Sequence, residues 1–236
     1  MGELIQYITD PANTFADHTR DTIVLCLVPI VLSLLIALPL GVLVARRPIA
    51  AFLATNVSGL VRAIPTFAVL MVMLLLLKQI GFTPSVIALT ALGVPPILLN
   101  MIAGLRGVDP AAIDAARGMG MTRLQVLARV ELPLVLPVAA AGVRSAAVQI
   151  VATVPLAALI GGGGYGEYIL NGLSNEANAI DLFVGAVSVA LLALLTEAIF
   201  AIVQRAVTPA GLRVGLQAAD AAIGPTDIEA PREKAA

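Results

Sequence analysis

The chain has 236 residues, of which 59% are hydrophobic and 12% are charged, and its mean hydropathy is +1.00. A water-soluble domain of this length exposes more polar surface than such a composition provides, so an ordinary soluble domain is excluded. The net charge of −1 leaves no basic footprint for nucleic acid, and the single cysteine, Cys26, has no partner for a disulfide. The composition therefore predicts an integral membrane protein.

Five apolar segments are long enough to cross a bilayer, which takes roughly 20 helical residues. They cover residues 22–45, 57–77, 85–105, 134–160 and 182–204. Because backbone groups in lipid must be satisfied within their own segment, each span is predicted to be helical and the fold class all-α. In the second span, Arg62 and Pro65 indicate that regular helix begins near Thr66. In the third, Pro95 and Pro96 predict an interruption.

The basic residues predict the orientation of these spans. If the N-terminus is outside, the outer segments contain only Arg20 and Lys78, Arg144 lies within the fourth span, and all other basic residues face the cytosol. This asymmetry favours an external N-terminus and a cytosolic C-terminus. The sequence thus divides into an extracytoplasmic segment (1–21), a transmembrane domain (22–206) and a polar, Ala- and Pro-rich cytosolic tail (207–236) that we expect to be disordered.

The cytosolic loop between spans three and four, residues 107–133, predicts two short helices. Asp109 is a good N-cap for the first, with Pro110 at its first helical position. Thr122, with Gln125 three residues later, forms a capping box for the second. Short helices are marginal on their own, so we expect them to dock against another protein. An ordered loop without a partner explains the same capping signals equally well.

The second loop helix is predicted to have one apolar face, and two prolines follow it. The face consists of Leu124, Leu127 and Ala128, while the arginines of the loop are expected to be solvated. Pro133 and Pro137 predict the point at which the chain returns to the membrane.

Seven residues of the loop stand at the spacing of a known motif: Asp114, Ala115, Ala116, Gly120, Val130, Leu132 and Pro133. The run resembles the EAA loop of binding-protein-dependent ABC importer permeases. That pattern has an acidic residue, two alanines, three spacers and glycine, followed after nine spacers by an aliphatic residue, one spacer and Leu-Pro. Here Asp114 replaces Glu and Val130 replaces Ile. The resemblance implies that the loop is a coupling helix in a cleft of a partner ATPase, whose ATP-bound closure switches the pore between inward and outward access.

A longer run, residues 134–166, is similar to the permeases of osmoprotectant and other quaternary-amine importers, as are the Ile64-Pro65 and Pro95-Pro96 turns. The resemblance covers about 22–206. It implies a pore subunit, in a bacterial cytoplasmic membrane, for a cargo such as glycine betaine or choline. Its implied partners are two cytosolic ATPase subunits, a second permease subunit that is identical or a sister chain, and an external solute-binding protein.

Two alternatives remain open from the sequence. The first is that the same machinery serves a different solute, such as the amino acid methionine, and the second is that the chain is an ion-coupled secondary transporter. Secondary transporters usually have an internal repeat and paired broken helices, and no convincing repeat is present here.

No motif indicates an enzyme, a cofactor or a metal site. The phosphate-binding pattern G-x-x-x-x-G-K-[ST] is absent, so ATP hydrolysis is expected in a partner. Gly161, Gly163 and Gly166 satisfy G-x-G-x-x-G, but they follow a membrane span, so we interpret them as a flexible turn over the outer mouth of the pore. His18 has no companion ligands and is expected to be solvated.

Five polar residues lie inside predicted spans: Asn100, Arg144, Gln149, Thr153 and Glu197. Charges in the membrane are costly and are normally paired or face a cavity, so we hypothesise that Arg144 and Glu197 pair across spans four and five. The alternative is that each reaches the interface or the backbone separately. The three uncharged residues either line a path or bridge helices, and bridging is favoured.

Overall fold

A computed structural model of the protein describes residues 15–174 and 179–208, and every regular element within these ranges is helical. The α-helices, numbered in chain order, are α1 (Phe15–Ala45), α2 (Pro48–Ala63), α3 (Thr66–Leu77), α4 (Phe82–Arg106), α5 (Pro110–Gly118), α6 (Arg123–Val126), α7 (Leu132–Thr153), α8 (Gly166–Ser174) and α9 (Ala179–Val207). A π-helical turn, Leu127–Glu131, joins α6 to α7, and a 3-10 helix, Val154–Ile160, extends α7. Most of the predicted outer segment and of the predicted tail lies outside the described residues.

Four helical segments in the described ranges are long and apolar enough to cross a membrane. They are α1, α4, the continuous run Arg123–Ile160, and α9; α2 and α3 make a fifth if the bent pair counts as one span. Large apolar side chains such as Leu43 on α1 and Leu194 on α9 are 69% and 67% exposed, as expected for surfaces that face lipid. The all-α, polytopic prediction is confirmed.

The second span differs from the prediction of one span over residues 57–77. Two helices, α2 and α3, meet at an angle of 94° across Ile64 and Pro65. Regular helix does begin at Thr66, as expected, because Pro65 cannot donate a backbone hydrogen bond to continue the preceding helix. With 12 residues, α3 is only about 18 Å long and is shorter than a typical hydrocarbon core.

The third span is not interrupted, contrary to the prediction from its prolines. Helix α4 runs through Pro95 and Pro96, and both are buried. Membrane helices tolerate proline where neighbouring helices stabilise the backbone. Ser33 of α1, for example, donates a hydrogen bond to the Thr90 carbonyl oxygen at 3.1 Å, one turn before the prolines.

Helix α4 forms the centre of the bundle and packs most extensively against α1 and α7. Small residues permit these close contacts. A Cβ added at Gly93 of α4 would lie 2.4 Å from the Ser33 hydroxyl of α1, and one at Gly142 of α7 would lie 2.8 Å from the Pro96 carbonyl oxygen. Helix α9 packs against α7 and α8, so α7 lies between α4 and α9.

The fourth span begins earlier than predicted, since the second loop helix is not a separate element. Helix α6 continues through the π-turn into α7, and Pro133 and Pro137 lie within this continuous run. The extra residue of the π-turn lets the helix pass Pro133 without ending.

Candidate coupling surface and transmembrane groove

The loop caps form as the sequence predicts. The Asp109 carboxylate accepts a hydrogen bond from the Ala111 N–H at 2.9 Å at the start of α5. At the start of α6, Thr122 N–H donates to the Gln125 side chain at 2.8 Å, and Gln125 N–H donates back to the Thr122 hydroxyl at 3.4 Å. Because local capping fixes both helix starts, the segment between them is held as a defined turn.

The residues that match the EAA motif are divided between the surface and the interior. Asp114, Ala115, Gly120 and Pro133 are exposed, Val130 and Leu132 are partly buried, and Ala116 is buried. Gly120 has φ +83°, a conformation that glycine adopts without strain, and a Cβ there would meet no atom within 4 Å. The motif therefore exposes Asp114, Ala115 and Gly120 on one face, while Ala116 packs into the protein.

Two large apolar side chains project from this end of the molecule. Met119 and Leu124 are 72% and 73% exposed, whereas Val126 is 1% exposed. The predicted apolar face was wrong in its membership, because only Leu127 packs inward and both Leu124 and Ala128 are exposed. We call Asp114, Ala115, Met119, Gly120 and Leu124 the coupling surface. Exposed apolar residues at a polar end of a membrane protein indicate a docking site.

An ion pair that sequence reasoning missed connects this end to the bundle. Arg46, directly after α1, donates to the Glu131 carboxylate at 2.7 Å, and Glu131 is buried at the end of the π-turn. The Arg106 guanidinium also donates to the Ala45 carbonyl oxygen at 3.1 Å. The sequence did contain a signal for this ion pair, because Glu131 is an acidic residue in an arginine-rich loop, immediately before Leu132 and Pro133.

The hypothesised pairing of Arg144 with Glu197 is present. Their side chains form a salt bridge between α7 and α9, and Arg144 also donates to the Gln204 side-chain oxygen at 3.2 Å. The pair opens onto a groove of about 460 Å³. Its lining residues are Ala141, Arg144, Ser145, Val148, Gln149, Ala152, Glu197 and Gln204. We call this the α7/α9 groove.

Of the three uncharged residues singled out from the sequence, only Gln149 lies in the α7/α9 groove. Asn100 donates to the Pro96 carbonyl oxygen at 2.8 Å, and the Thr153 hydroxyl donates to the Gln149 carbonyl oxygen at 2.8 Å. Each of these bonds lies within one helix. The interpretation that Asn100 and Thr153 bridge helices was therefore wrong, because their short side chains satisfy their own backbone instead.

At the opposite end, the glycine-rich turn, which we predicted to be flexible, makes hydrogen bonds to other segments. Tyr165 N–H donates to the Thr22 hydroxyl at 2.8 Å, and Gly81 N–H donates to the Ile160 carbonyl oxygen at 2.8 Å. The turn follows a helix, whereas a dinucleotide site requires a preceding strand.

His18 lies beside this turn. Its side chain is largely covered, contrary to the prediction that it is solvated. Its ring packs edge-on against Tyr168 at a centroid distance of 4.7 Å, and Nδ1 is 3.7 Å from a Glu167 carboxylate oxygen. Burial, together with the negative charge of Asp181, raises the pKa of Tyr168 to about 12. Within residues 15–174 and 179–208 there is no group of three His, Cys, Asp or Glu side chains arranged to hold a metal ion.

These features define a multi-pass helical membrane protein with an exposed, well-capped loop at one end and a groove with a charge pair between two spans. The model of the family described as "Binding-protein-dependent transport system inner membrane component" matches residues 37–209, and the chain belongs to this family. It is therefore an inner-membrane transport permease. Membership overturns the alternative of an ion-coupled secondary transporter.

Individual relatives match almost the whole chain. The choline transport system permease protein of Bacillus subtilis is 33% identical over 213 residues, which is 90% of this chain and 97% of the relative. An osmoprotectant import permease protein of Salmonella typhimurium is 35% identical over 218 residues, which is 89% of this chain and 100% of the relative. An inward-facing methionine ABC transporter structure superposes with a TM-score of 0.75 at 23% identity, over 89% of this chain and 100% of that chain. This structural likeness shows the fold alone.

Proposed function

We propose that this chain is the pore subunit of an ATP-driven importer for a quaternary ammonium osmoprotectant such as glycine betaine, choline or carnitine. The observation that carries the proposal is the near full-length similarity to permeases named for choline, carnitine, glycine betaine and osmoprotectant transport. Choline, carnitine and glycine betaine share a trimethylammonium group. The proposed cargo class is therefore defined by that group.

In this proposal the energy comes from a partner ATPase. The sequence contains no phosphate-binding loop of its own, and the coupling surface has the features that a docking element needs. Met119 and Leu124 project from it as apolar anchors, and Gly120 leaves space for a close backbone approach. Closure of the ATPase pair would push on this surface.

The buried ion pair gives the route by which that push reaches the spans. Glu131 lies on the π-turn that continues into α7, and its partner Arg46 follows the last residue of α1. A displacement of the loop would therefore move the ends of α1 and α7 together. Both helices contact α4, so α4, at the centre of the bundle, would move with them.

The proposed assembly places the coupling surface in the cytosol and the N-terminus outside. The excess of basic residues in the loop and after the spans supports this orientation. A second permease subunit, identical or a sister chain, would complete the pore, and a solute-binding protein would deliver the cargo to the external end. That external end contains the glycine-rich turn and α8.

A pair of leucine variants tests the coupling surface. Leu124→Asp places a charge on the surface, while Leu173→Asp makes the same change at a leucine of similar exposure, 67%, at the opposite end. We expect Leu124→Asp to abolish ATPase co-purification and ATP-driven uptake of radiolabelled choline or glycine betaine, because a buried unpaired charge opposes docking. Leu173→Asp should retain ATPase co-purification.

The readouts are the ATPase recovered with the tagged permease in mild detergent, identified by mass spectrometry, and uptake into membrane vesicles. Both variants change exposed residues, so their melting temperatures should match the wild type. Uptake that persists in Leu124→Asp, or a wild type that binds no ATPase, would contradict the proposal. Gly120→Arg, on the same surface, should also lose ATPase co-purification and uptake, but with a lower melting temperature because its left-handed backbone disfavours a Cβ.

A further inference from the structure

From their positions along α7 and α9, we expect Arg144 and Glu197 to lie in the inner half to the middle of the membrane. Arg144 is twelve residues after Leu132, the first residue of α7, which is about 18 Å along the helix. The helix continues for about 14 Å beyond it to Thr153. Since a hydrocarbon core is about 30 Å thick, neither charge can reach an interface easily.

The pair is not buried within the described protein. The side chains of Arg144 and Glu197 are 36% and 40% exposed, and what they face is the α7/α9 groove. Exposure of charge to hydrocarbon is strongly unfavourable, so charges at this depth normally face water or protein. The groove therefore faces water or a second permease subunit and not lipid, although Ala141, Val148 and Ala152 make part of its wall apolar.

The groove also has hydrogen-bonding capacity that its own residues do not use. The guanidinium of Arg144 has five N–H donors, and its recorded partners are Glu197 and Gln204. Ser145 and Gln149 lie on the same face of α7, and both line the groove. Water or a passing solute can use these groups.

The net charge of the groove decides which solutes it accepts. Arg144 and Glu197 are its two charged lining residues and their charges cancel. A solute with a permanent positive charge is therefore not repelled. Without Glu197, the guanidinium would be left uncompensated and would repel a cation that approaches within a few ångströms.

We propose that the α7/α9 groove is an aqueous path for quaternary ammonium compounds and that Glu197 is its specificity-determining residue, since it cancels the charge of Arg144. The cargo class in this statement rests on the proposed function. Glu197 also holds Arg144 in place through the salt bridge. The cation specificity of the groove and the position of the Arg144 side chain therefore both depend on the Glu197 carboxylate.

Cysteine modification tests the path without requiring transport. The buried Cys26 is first replaced by alanine, and Gln149→Cys then places a thiol in the groove. The probes are two methanethiosulfonate reagents of similar size, one with a trimethylammonium group and one with a sulfonate. Both form a mixed disulfide with the thiolate and release methanesulfinate, so their rates differ mainly through their charge.

We expect both reagents to modify position 149 in membranes that contain the complete protein. Adding Glu197→Gln should lower the rate of the cationic reagent relative to the anionic one by about fivefold or more, because one unit of negative charge is lost nearby. Adding Arg144→Gln as well should restore the ratio, since the groove becomes neutral again. That rescue separates a charge effect from a merely structural one.

Two further positions serve as controls. Leu173→Cys, at an exposed leucine away from the coupling surface, should react with both reagents at a ratio that Glu197→Gln does not change. Leu194→Cys, on an outward face of α9, should react with neither. The inference is overturned if position 149 reacts with neither reagent while Leu173→Cys does. It is also overturned if Glu197→Gln leaves the ratio unchanged or if the double variant does not restore it. If the wild type shows no ATP-driven uptake of choline or glycine betaine, the proposed function is refuted. The ratios of the modification rates do not depend on transport, so they would still test the charge of the groove.

Discussion

The two ends of the bundle use glycine for different purposes. Gly120, at the coupling surface, and Gly164, in the glycine-rich turn, have nearly equal backbone angles, with φ +83° and +79°. A Cβ at Gly120 would meet nothing within 4 Å, whereas one at Gly164 would lie 2.6 Å from the Thr22 hydroxyl oxygen and 3.3 Å from Thr22 backbone atoms. Gly120 therefore lies on an exposed surface, whereas Gly164 allows the glycine-rich turn to pack closely against Thr22 of α1.

The contacts around these glycines extend the contrast. At the coupling end, Met119 and Leu124 are exposed, so apolar area is left for another protein to cover. At the opposite end, Tyr165 and Tyr168 are buried, and the aromatic ring of Phe15 lies 5.6 Å from that of Tyr165. The opposite end also exposes apolar side chains, such as Leu173 at 67%, so the contrast concerns the two glycine turns and not the whole ends of the bundle.

The largest expected effect comes from comparing alanine at the two glycines. Both Gly164→Ala and Gly120→Ala force a left-handed conformation on a residue with a Cβ, which costs about 1–2 kcal/mol. Gly164→Ala also adds the contact with Thr22, so we expect it to lower the free energy of unfolding by about 3 kcal/mol in total. For a chain of this size, each kcal/mol corresponds to about 2–4 °C in the melting temperature in detergent.

Gly118→Ala provides the baseline for this comparison. Gly118 has no positive φ, and a Cβ there meets no atom within 4 Å, so the change should leave the melting temperature unaltered or raise it slightly. Equal losses for Gly164→Ala and Gly120→Ala would show that backbone conformation alone accounts for both glycines. The contrast between an open and a closed end would then fail.

The second prediction concerns the ion pair that joins the coupling end to α1. Arg46→Ala leaves the carboxylate of Glu131, whose side chain is only 6% exposed, without its partner, and should cost about 2 kcal/mol. Glu131→Ala leaves Arg46, which is 43% exposed and can be hydrated, so about 1 kcal/mol is expected. Melting temperatures of the purified variants measure the difference.

The exposed pair on α5 is the control for this prediction. Arg117 and Asp114 are 3.7 Å apart and 57% and 76% exposed, so Asp114→Ala should change stability by no more than about 0.5 kcal/mol. If Arg46→Ala lowers the free energy of unfolding by no more than Asp114→Ala does, then the buried pair does not hold the coupling end to the bundle.

The features that could be predicted from sequence are those that depend on near neighbours in the chain. The caps at Asp109 and Thr122 follow from side-chain reach over two or three residues. The long apolar runs predicted α1, α4 and α9, since a bilayer sets their minimum length. The pairing of Arg144 with Glu197 was a hypothesis from the cost of isolated charge in a membrane.

The features that sequence reasoning missed depend on contacts between distant segments. Pro95 and Pro96 do not interrupt α4, because packing by neighbouring helices outweighs the local cost. The 94° bend between α2 and α3, and the whole of α8, have no marker in the apolar pattern. Similarly, whether Leu124 or Leu127 faces inward depends on how the π-turn rotates the loop, which residue spacing alone does not reveal.

The smallest expected effect is local and affects only the loop. Asp109→Ala removes the N-cap of α5, whereas Asp109→Asn keeps an acceptor for the Ala111 N–H. A cap of this kind stabilises a helix by about 1 kcal/mol, so hydrogen exchange in the peptide that covers residues 107–118 should become about fivefold faster in the alanine variant only. The melting temperature of either variant should not change, because the exposed first turn of α5 can fray while the rest of the loop and the bundle stay folded. A lower melting temperature for Asp109→Ala would show that α5 belongs to the cooperative core. The coupling end would then be as closed on itself as the glycine-rich end.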